Sequence, residues 1–174
     1  VIAYLNGAVM KISIDGKRNS SIEKILYIPE DDESKLYIPI RAVAKYFNYE
    51  VYRGDYRIKS EDSTKCYVKN ENETAMFIKD SDTLIVSRED SDYEYITIDE
   101  KVFEKDGELY TTPKGIEKAF NVLFNYNVQK KNIEIYTMDY LNQFYTSRLK
   151  LDEDTDKLSE EYADKKAIFE DMII

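Results

Sequence analysis

One block of this chain is written twice, and that repetition constrains the fold more than any count of residue types. Leu36-Tyr37 recurs 73 residues on as Leu109-Tyr110. At the same spacing Arg41 meets Lys114, Val43 meets Ile116, Lys45 meets Lys118, Phe47 meets Phe120 and Asn48 meets Asn121. Further on, Phe47-Asn48-Tyr49-Glu50-Val51 matches Phe124-Asn125-Tyr126-Asn127-Val128 at a spacing of 77. The extra residues amount to about one helical turn, so the second helix reads as the first lengthened by a turn. Upstream, Ile12-Ser13-Ile14-Asp15 resembles Ile96-Thr97-Ile98-Asp99. Matches in one order along the chain argue for an internal repeat.

The repeat frames two helices in a strand-rich background. Ile40, Val43, Ala44 and Phe47 recur at helical spacing after Pro39, whose missing N–H costs nothing at a helix start. Ile116, Phe120, Leu123 and Phe124 mark a second helix from about 113 to 124, with Thr112 as its N-cap. Strands are expected at Ile25–Ile28, Glu50–Arg53, Tyr56–Lys59, Lys65–Val68, Thr74–Ile78, Thr83–Ser87, Tyr93–Ile98, Tyr126–Gln129 and Asn132–Tyr136, most of them rich in residues that suit a pleated surface. Asn6-Gly7, between apolar runs, predicts a hairpin turn, and Asp15-Gly16 predicts another.

The expected fold class is therefore α+β. Two tandem copies of a strand-strand-helix-strand-strand module, at about 8–60 and 93–137, carry twisted antiparallel sheets and are linked by strands within 65–87. Neither copy is large enough to bury its helix alone, so the two are expected to share a sheet or pack face to face. Together they form one duplicated domain over 1–137. Residues 138–174 change character: Leu141, Phe144, Tyr145 and Leu149 keep helical spacing, and Leu158, Tyr162 and Phe169 mark a further helix. This tail reads as an acidic helical linker or the start of a further domain. The start at Val1 and the apolar end Met172-Ile173-Ile174 suggest a piece of a longer protein.

Composition narrows the chemistry. With no His, the chain has no imidazole base, no Ser-His or Cys-His pair and no imidazole metal ligand. One Cys makes neither an intrachain disulfide nor a thiolate cluster. A net charge of −10 repels nucleic acid and anionic membranes, and no stretch approaches the length of a membrane span. Nucleic-acid binding and membrane insertion are not expected.

Leu36-Tyr37-Ile38-Pro39-Ile40-Arg41-Ala42-Val43-Ala44, followed by Asn48-Tyr49-Glu50-Val51, resembles the copper amine oxidase N-terminal-like "stalk" module of Gram-positive surface proteins. The second copy, Tyr110-Thr111-Thr112-Pro113-Lys114, has its Pro one place later and Lys for Arg. Asn48 stands at the family's glycine position, which suits a residue tolerant of left-handed backbone angles. The stretch from Asp164 to Met172 resembles the lead-in to Trp-Gly repeat arrays that follow this module in some proteins. The resemblance implies an exported spacer or binding module without copper chemistry, since the oxidase's metal site belongs to a separate domain.

The candidate binding residues are tyrosines, because an exposed Tyr stacks on sugar rings or anchors a partner. Tyr37, Tyr46, Tyr49, Tyr52 and Tyr56 crowd one copy, and Tyr93 and Tyr95 share one strand face. Pro39, Arg41, Pro113 and Lys114 form the structural motif, with Arg41 expected in an ion pair tying helix to sheet. Cys66 reads as a small core residue. Asp152-Glu153-Asp154-Thr155-Asp156 resembles the start of a calcium loop but has Lys157 and Ala163 where Gly and Glu are needed, so it reads as a charged linker. Asp80-Ser81-Asp82 and Glu89-Asp90-Ser91-Asp92 read as polar turns.

No catalytic residue, cofactor or metal is expected. The function expected is that of a non-catalytic, extracytoplasmic module of a bacterial surface or secreted protein. It would act as a presenting stalk that contacts cell-wall glycan or a protein. The alternatives are a carboxylate-dependent glycan hydrolase and a protein-interaction scaffold.

Overall fold

The computed structural model describes residues 6–27, 35–54, 62–88 and 92–155. In chain order these form β1 (Asn6–Ile14), β2 (Lys17–Tyr27), β3 (Leu36–Pro39), α1 (Ile40–Tyr46), β4 (Glu50–Arg53), β5 (Lys65–Lys69), β6 (Glu73–Ile78), β7 (Thr83–Arg88), β8 (Glu94–Thr97), β9 (Phe103–Lys105), β10 (Glu108–Thr111), α2 (Pro113–Phe120), β11 (Val122–Asn127), β12 (Asn132–Thr137) and α3 (Met138–Thr155). Seven strands make one sheet in the order β11-β12-β1-β2-β3-β10-β9, and β4 to β8 make a second in chain order.

This architecture corrects the expected fold class. The described residues are mostly β, forming twelve strands in two sheets and three helices, and not an α+β pair of modules. The strands leading into the two helices, β3 and β10, pair directly with each other: Pro39 faces Tyr110 and Ile38 faces Thr111. The strands leaving the helices part company, because β4 pairs with β5 in the second sheet while β11 pairs with β12 in the first. Residues expected only to link two copies instead supply β5, β6 and β7 of the five-stranded sheet. The strand-helix segment recurs locally, but sheet membership does not follow the repeat.

β3 is buried along its whole length, and the period of two sorts its side chains. Leu36 and Ile38 enter the main core, whereas Tyr37 joins a small cluster with Leu26, Tyr110 and Phe103. The main core draws on Met10, Ile12, Ile133 and Ile135 from the larger sheet and Val68, Phe77 and Val86 from the smaller. Ile40 and Val43 of α1 and Ile116 and Phe120 of α2 belong to the same core. One continuous apolar interior thus joins both sheets and two helices.

The helices end where left-handed backbone stops them. Asn48 has φ 58°, as expected for a residue in a glycine's place, and Asn121 at the end of α2 has φ 54°. α2 is therefore not lengthened by a turn: Phe120 is its last residue, and Leu123 and Phe124 lie in β11. Thr112 caps α2 as expected, its hydroxyl accepting from the Gly115 N–H at 3.2 Å. Pro39 differs slightly from expectation, since it ends β3 and occupies the N-cap position without capping through a side chain.

Two turn signals had opposite outcomes. Asp15 and Gly16, with φ 54° and 80°, form the β1–β2 turn; positive φ at both central residues matches the twist of a tight hairpin. Asn6-Gly7 is no turn, since both residues pair with β2 inside β1. Residues 152–155, expected as a linker, continue α3. The strand expected at 56–59 and the helix expected around Leu158 lie outside the described residues.

Candidate functional site

A cleft of about 550 Å³ opens beside α1, lined by Ser21, Ile22, Glu23 and Lys24 of β2, Pro39 of β3, and Arg41, Ala42, Lys45 and Tyr46 of α1, with Glu108 from β10. This size suits a small-molecule site. Its β2 wall is bulged. Ala8 pairs with Ile25 and Met10 with Ile22, so Val9 alone faces Glu23 and Lys24. Lys24 takes φ 62°, a left-handed conformation uncommon for a side chain of its kind. Bulges of this type re-aim side chains at the rims of functional sites. Across the cleft the Tyr46 hydroxyl donates to the Ser21 carbonyl at 2.8 Å, fastening α1 to β2.

The cleft carries three cations, Lys24, Arg41 and Lys45, against two acids, Glu23 and Glu108, in a chain whose net charge is −10. Two of its lining residues each carry a buried atom without a hydrogen-bond partner, Arg41 Nε and Glu108 Oε2. Among the described residues Arg41 forms no ion pair, contrary to expectation; the salt bridges there are Lys35–Glu100, Lys65–Asp62 and Lys79–Glu104. Leaving a buried donor or acceptor unpaired costs about 1–3 kcal/mol, and more when the group is charged.

A smaller cleft of about 320 Å³ lies where β4, β6, β11 and α3 begin, lined by Phe47, Tyr49, Asn70, Glu73, Phe120 and Asp139 among others. Its polar groups are largely used. The Tyr49 hydroxyl donates to Glu73 Oε2 at 2.6 Å, and burial, followed by this carboxylate, pushes the phenol well above its ordinary value. Asn70 Oδ1 accepts from the backbone N–H groups of Asn72 and Glu73. Phe47 and Phe120 stack on each other, and Tyr49 meets Phe120 edge-on. These rings serve one another more than an incoming ligand.

The expected tyrosine cluster is dispersed. Tyr37 is buried in the small core cluster, Tyr46 is in the larger cleft and Tyr49 in the smaller. Tyr52 on β4 donates to Glu50 Oε2 and leans on Tyr67. Tyr56 lies outside the described residues. Tyr93 and Tyr95 are exposed beside and within β8, at 43% and 70%. Lys114 is exposed on α2, and Pro113 starts that helix. The cleft thus unites Pro39 and Arg41 of the stalk-like motif and Tyr46 of the expected tyrosine cluster with Lys24 and Glu108, which nothing in the sequence marked. A bulge and a pairing between distant strands bring those two in, and neither leaves a local signal.

Cys66 is buried at 4% exposure, and burial pushes its thiol up to about 12. It is a core residue, as expected. Among the described residues no group of three or more Cys, Asp or Glu is placed to hold a metal ion, and no helix is long and apolar enough to cross a membrane. No family model, curated protein or solved structure matches this chain.

Proposed function

We propose that this chain is a non-catalytic, extracytoplasmic module of a bacterial surface or secreted protein. It spaces other domains and holds cell-wall peptidoglycan or a protein partner in the cleft between β2, α1 and β10. The observation that carries this reading is one open cleft that gathers three cations, Lys24, Arg41 and Lys45, with two acids, Glu23 and Glu108. The stalk-like motif Leu36 to Ala44 supports the location, since it supplies Pro39 and Arg41 to that cleft.

Co-sedimentation of the 174-residue chain with purified peptidoglycan tests the binding half, with Arg41→Gln as the control. Sedimentation that falls in the variant supports the reading. Wild-type protein left wholly in the supernatant, together with a silent glycan array and no protein recovered by cross-linking, removes binding and leaves spacing alone. A second reading, a carboxylate-dependent hydrolase, draws on Glu23 and Glu108 lining the same cleft. Release of reducing ends from peptidoglycan, abolished by Glu108→Gln, would establish it in place of the first.

A further inference from the structure

We propose that β8 is a docking edge, which accepts an extended, basic segment of a partner protein as a further strand of the β4–β8 sheet. The proposal is independent of the cleft, whose strand walls β2, β3 and β10 belong to the other sheet.

β8 ends its sheet, pairing with β7 on one side and, among the described residues, with no strand on the other. The ladder fixes which groups face outward. The Ile98 N–H donates to the Asp82 carbonyl at 2.8 Å, next to the Thr83–Thr97 pair. Thr97, and Tyr95 two residues before it, therefore turn their own N–H and C=O groups away from β7. Among the described residues no hydrogen bond takes up those groups. Tyr95 and Thr97 also share one face of the strand. At 70% exposure Tyr95 is the most open large hydrophobic side chain among the described residues. Outward main-chain groups beside an accessible ring are what strand addition uses, the backbone bonds giving affinity and alternate side chains giving selection.

Charge names the occupant. From Asp92 to Glu100 the chain carries Asp92, Glu94, Asp99 and Glu100 and no Lys or Arg. Glu100 meets Lys35 at 3.5 Å and Asp99 accepts from the Thr112 hydroxyl, while Glu94 is exposed on the edge strand itself. A second copy of this chain fits poorly. Paired in parallel and in register, β8 would set Glu94 beside Glu94. Paired antiparallel about Tyr95, it would bring Asp92 of each copy next to Asp99 of the other. Like charges opposed across a ladder are destabilising, and each copy carries a net −10. The same acids attract a strand that has Lys or Arg on the face of Glu94 and a β-branched residue against Tyr95.

Chemical-shift titration and amide exchange of the ¹⁵N-labelled 174-residue chain test this with the peptide acetyl-Lys-Val-Lys-Val-Lys-Val-Lys-amide. Binding should shift the amides from Glu94 to Thr97. It should also slow exchange at the Tyr95 and Thr97 N–H groups about ten-fold when the peptide is at ten times its Kd. A peptide with Glu for Lys should bind about ten-fold more weakly or worse. N-methylation of the valines or of the lysines blocks opposite edges of the added strand, so one methylated peptide should lose binding and the other keep it. Glu94→Lys should weaken the Lys-Val peptide about ten-fold. Thr97→Pro removes an outward N–H without touching the β7 ladder and should abolish the protection at Tyr95. Melting curves show whether each variant keeps its fold, and the peptide series on the wild-type chain decides the matter even if one does not. No shift with the Lys-Val peptide overturns the proposal. Equal binding of the Glu peptide, or of both methylated peptides, overturns it too, since attraction would then lack charge selection or strand pairing. A dimer in sedimentation equilibrium that Thr97→Pro dissolves overturns it in favour of a second copy.

Discussion

A methyl group placed on Gly115 would sit 2.0 Å from the Thr111 hydroxyl oxygen, and 3.1 Å and 3.2 Å from Thr111 Cβ and Cγ2. The first turn of α2 therefore lies directly against the end of β10. Helix propensity alone favours Ala over Gly by about 1 kcal/mol. Here the contact decides the sign, because Thr111 is buried and its branched side chain has little freedom to turn away. Gly115→Ala should destabilise the chain by about 1–3 kcal/mol in urea unfolding. Adding Thr111→Ala, which removes the two closest γ contacts, should recover part of that loss as a measurable coupling. A stabilised single variant would show that β10 and α2 are not so closely apposed.

Phe77 on β6 is fully buried in the core shared by both sheets. Phe77→Ala should cost about 3–5 kcal/mol. Both sheets should lose structure in one transition, because they share that interior. Fluorescence and far-ultraviolet circular dichroism following different midpoints would contradict a single core.

Glu117 on α2 is held above its ordinary pKa, first by burial and then by Asp99, against the Phe124 N–H and the nearby Lys118 and Lys114. A carboxyl with a raised folded-state pKa binds its proton more readily in the folded chain. Its contribution is therefore unfavourable above the folded pKa and is relieved as pH falls toward the unfolded value. Glu117→Gln, whose carbonyl keeps an acceptor for the Phe124 N–H at 3.0 Å, should raise the melting temperature at pH 7. The gain should shrink toward pH 4. An equal gain at both pH values would separate it from this ionisation.

The Cys66 thiol, pushed up to about 12 and buried, should not react with a disulfide reagent at pH 8 in the folded chain. Reaction should appear only as the chain opens, so labelling in increasing urea should track the unfolding curve. Prompt labelling of folded protein would place β5 in easy reach of solvent.

Much of the secondary structure was legible from short stretches. β4 lies where its composition placed it, and β5, β6, β7 and β12 differ by a residue or so at an end. What misled was information held elsewhere in the chain. Asn6-Gly7 has turn chemistry, but pairing with Leu26 and Tyr27 keeps it extended. Leu123 and Phe124 continue a helical spacing, but the left-handed Asn121 ends the helix before them. The repeat showed where helices recur and could not show that β4 and β11 would join different sheets. The cleft was half legible for the same reason: Pro39 and Arg41 sit in the motif and Tyr46 among the clustered tyrosines, whereas Glu108 arrives through the β3–β10 pairing and Lys24 through a bulge.

The parallel pairing of β1 with β12, Ile12 beside Ile133 and Ile14 beside Ile135, has a kinetic consequence. As the polypeptide leaves the ribosome, the meander from β4 to β8 can assemble from neighbours alone. The larger sheet must wait with β1 uncovered on one side until some 120 later residues have been made. During that interval β1 is an open template for other nascent chains, so synthesis rate bears on yield as directly as the stability of the finished fold.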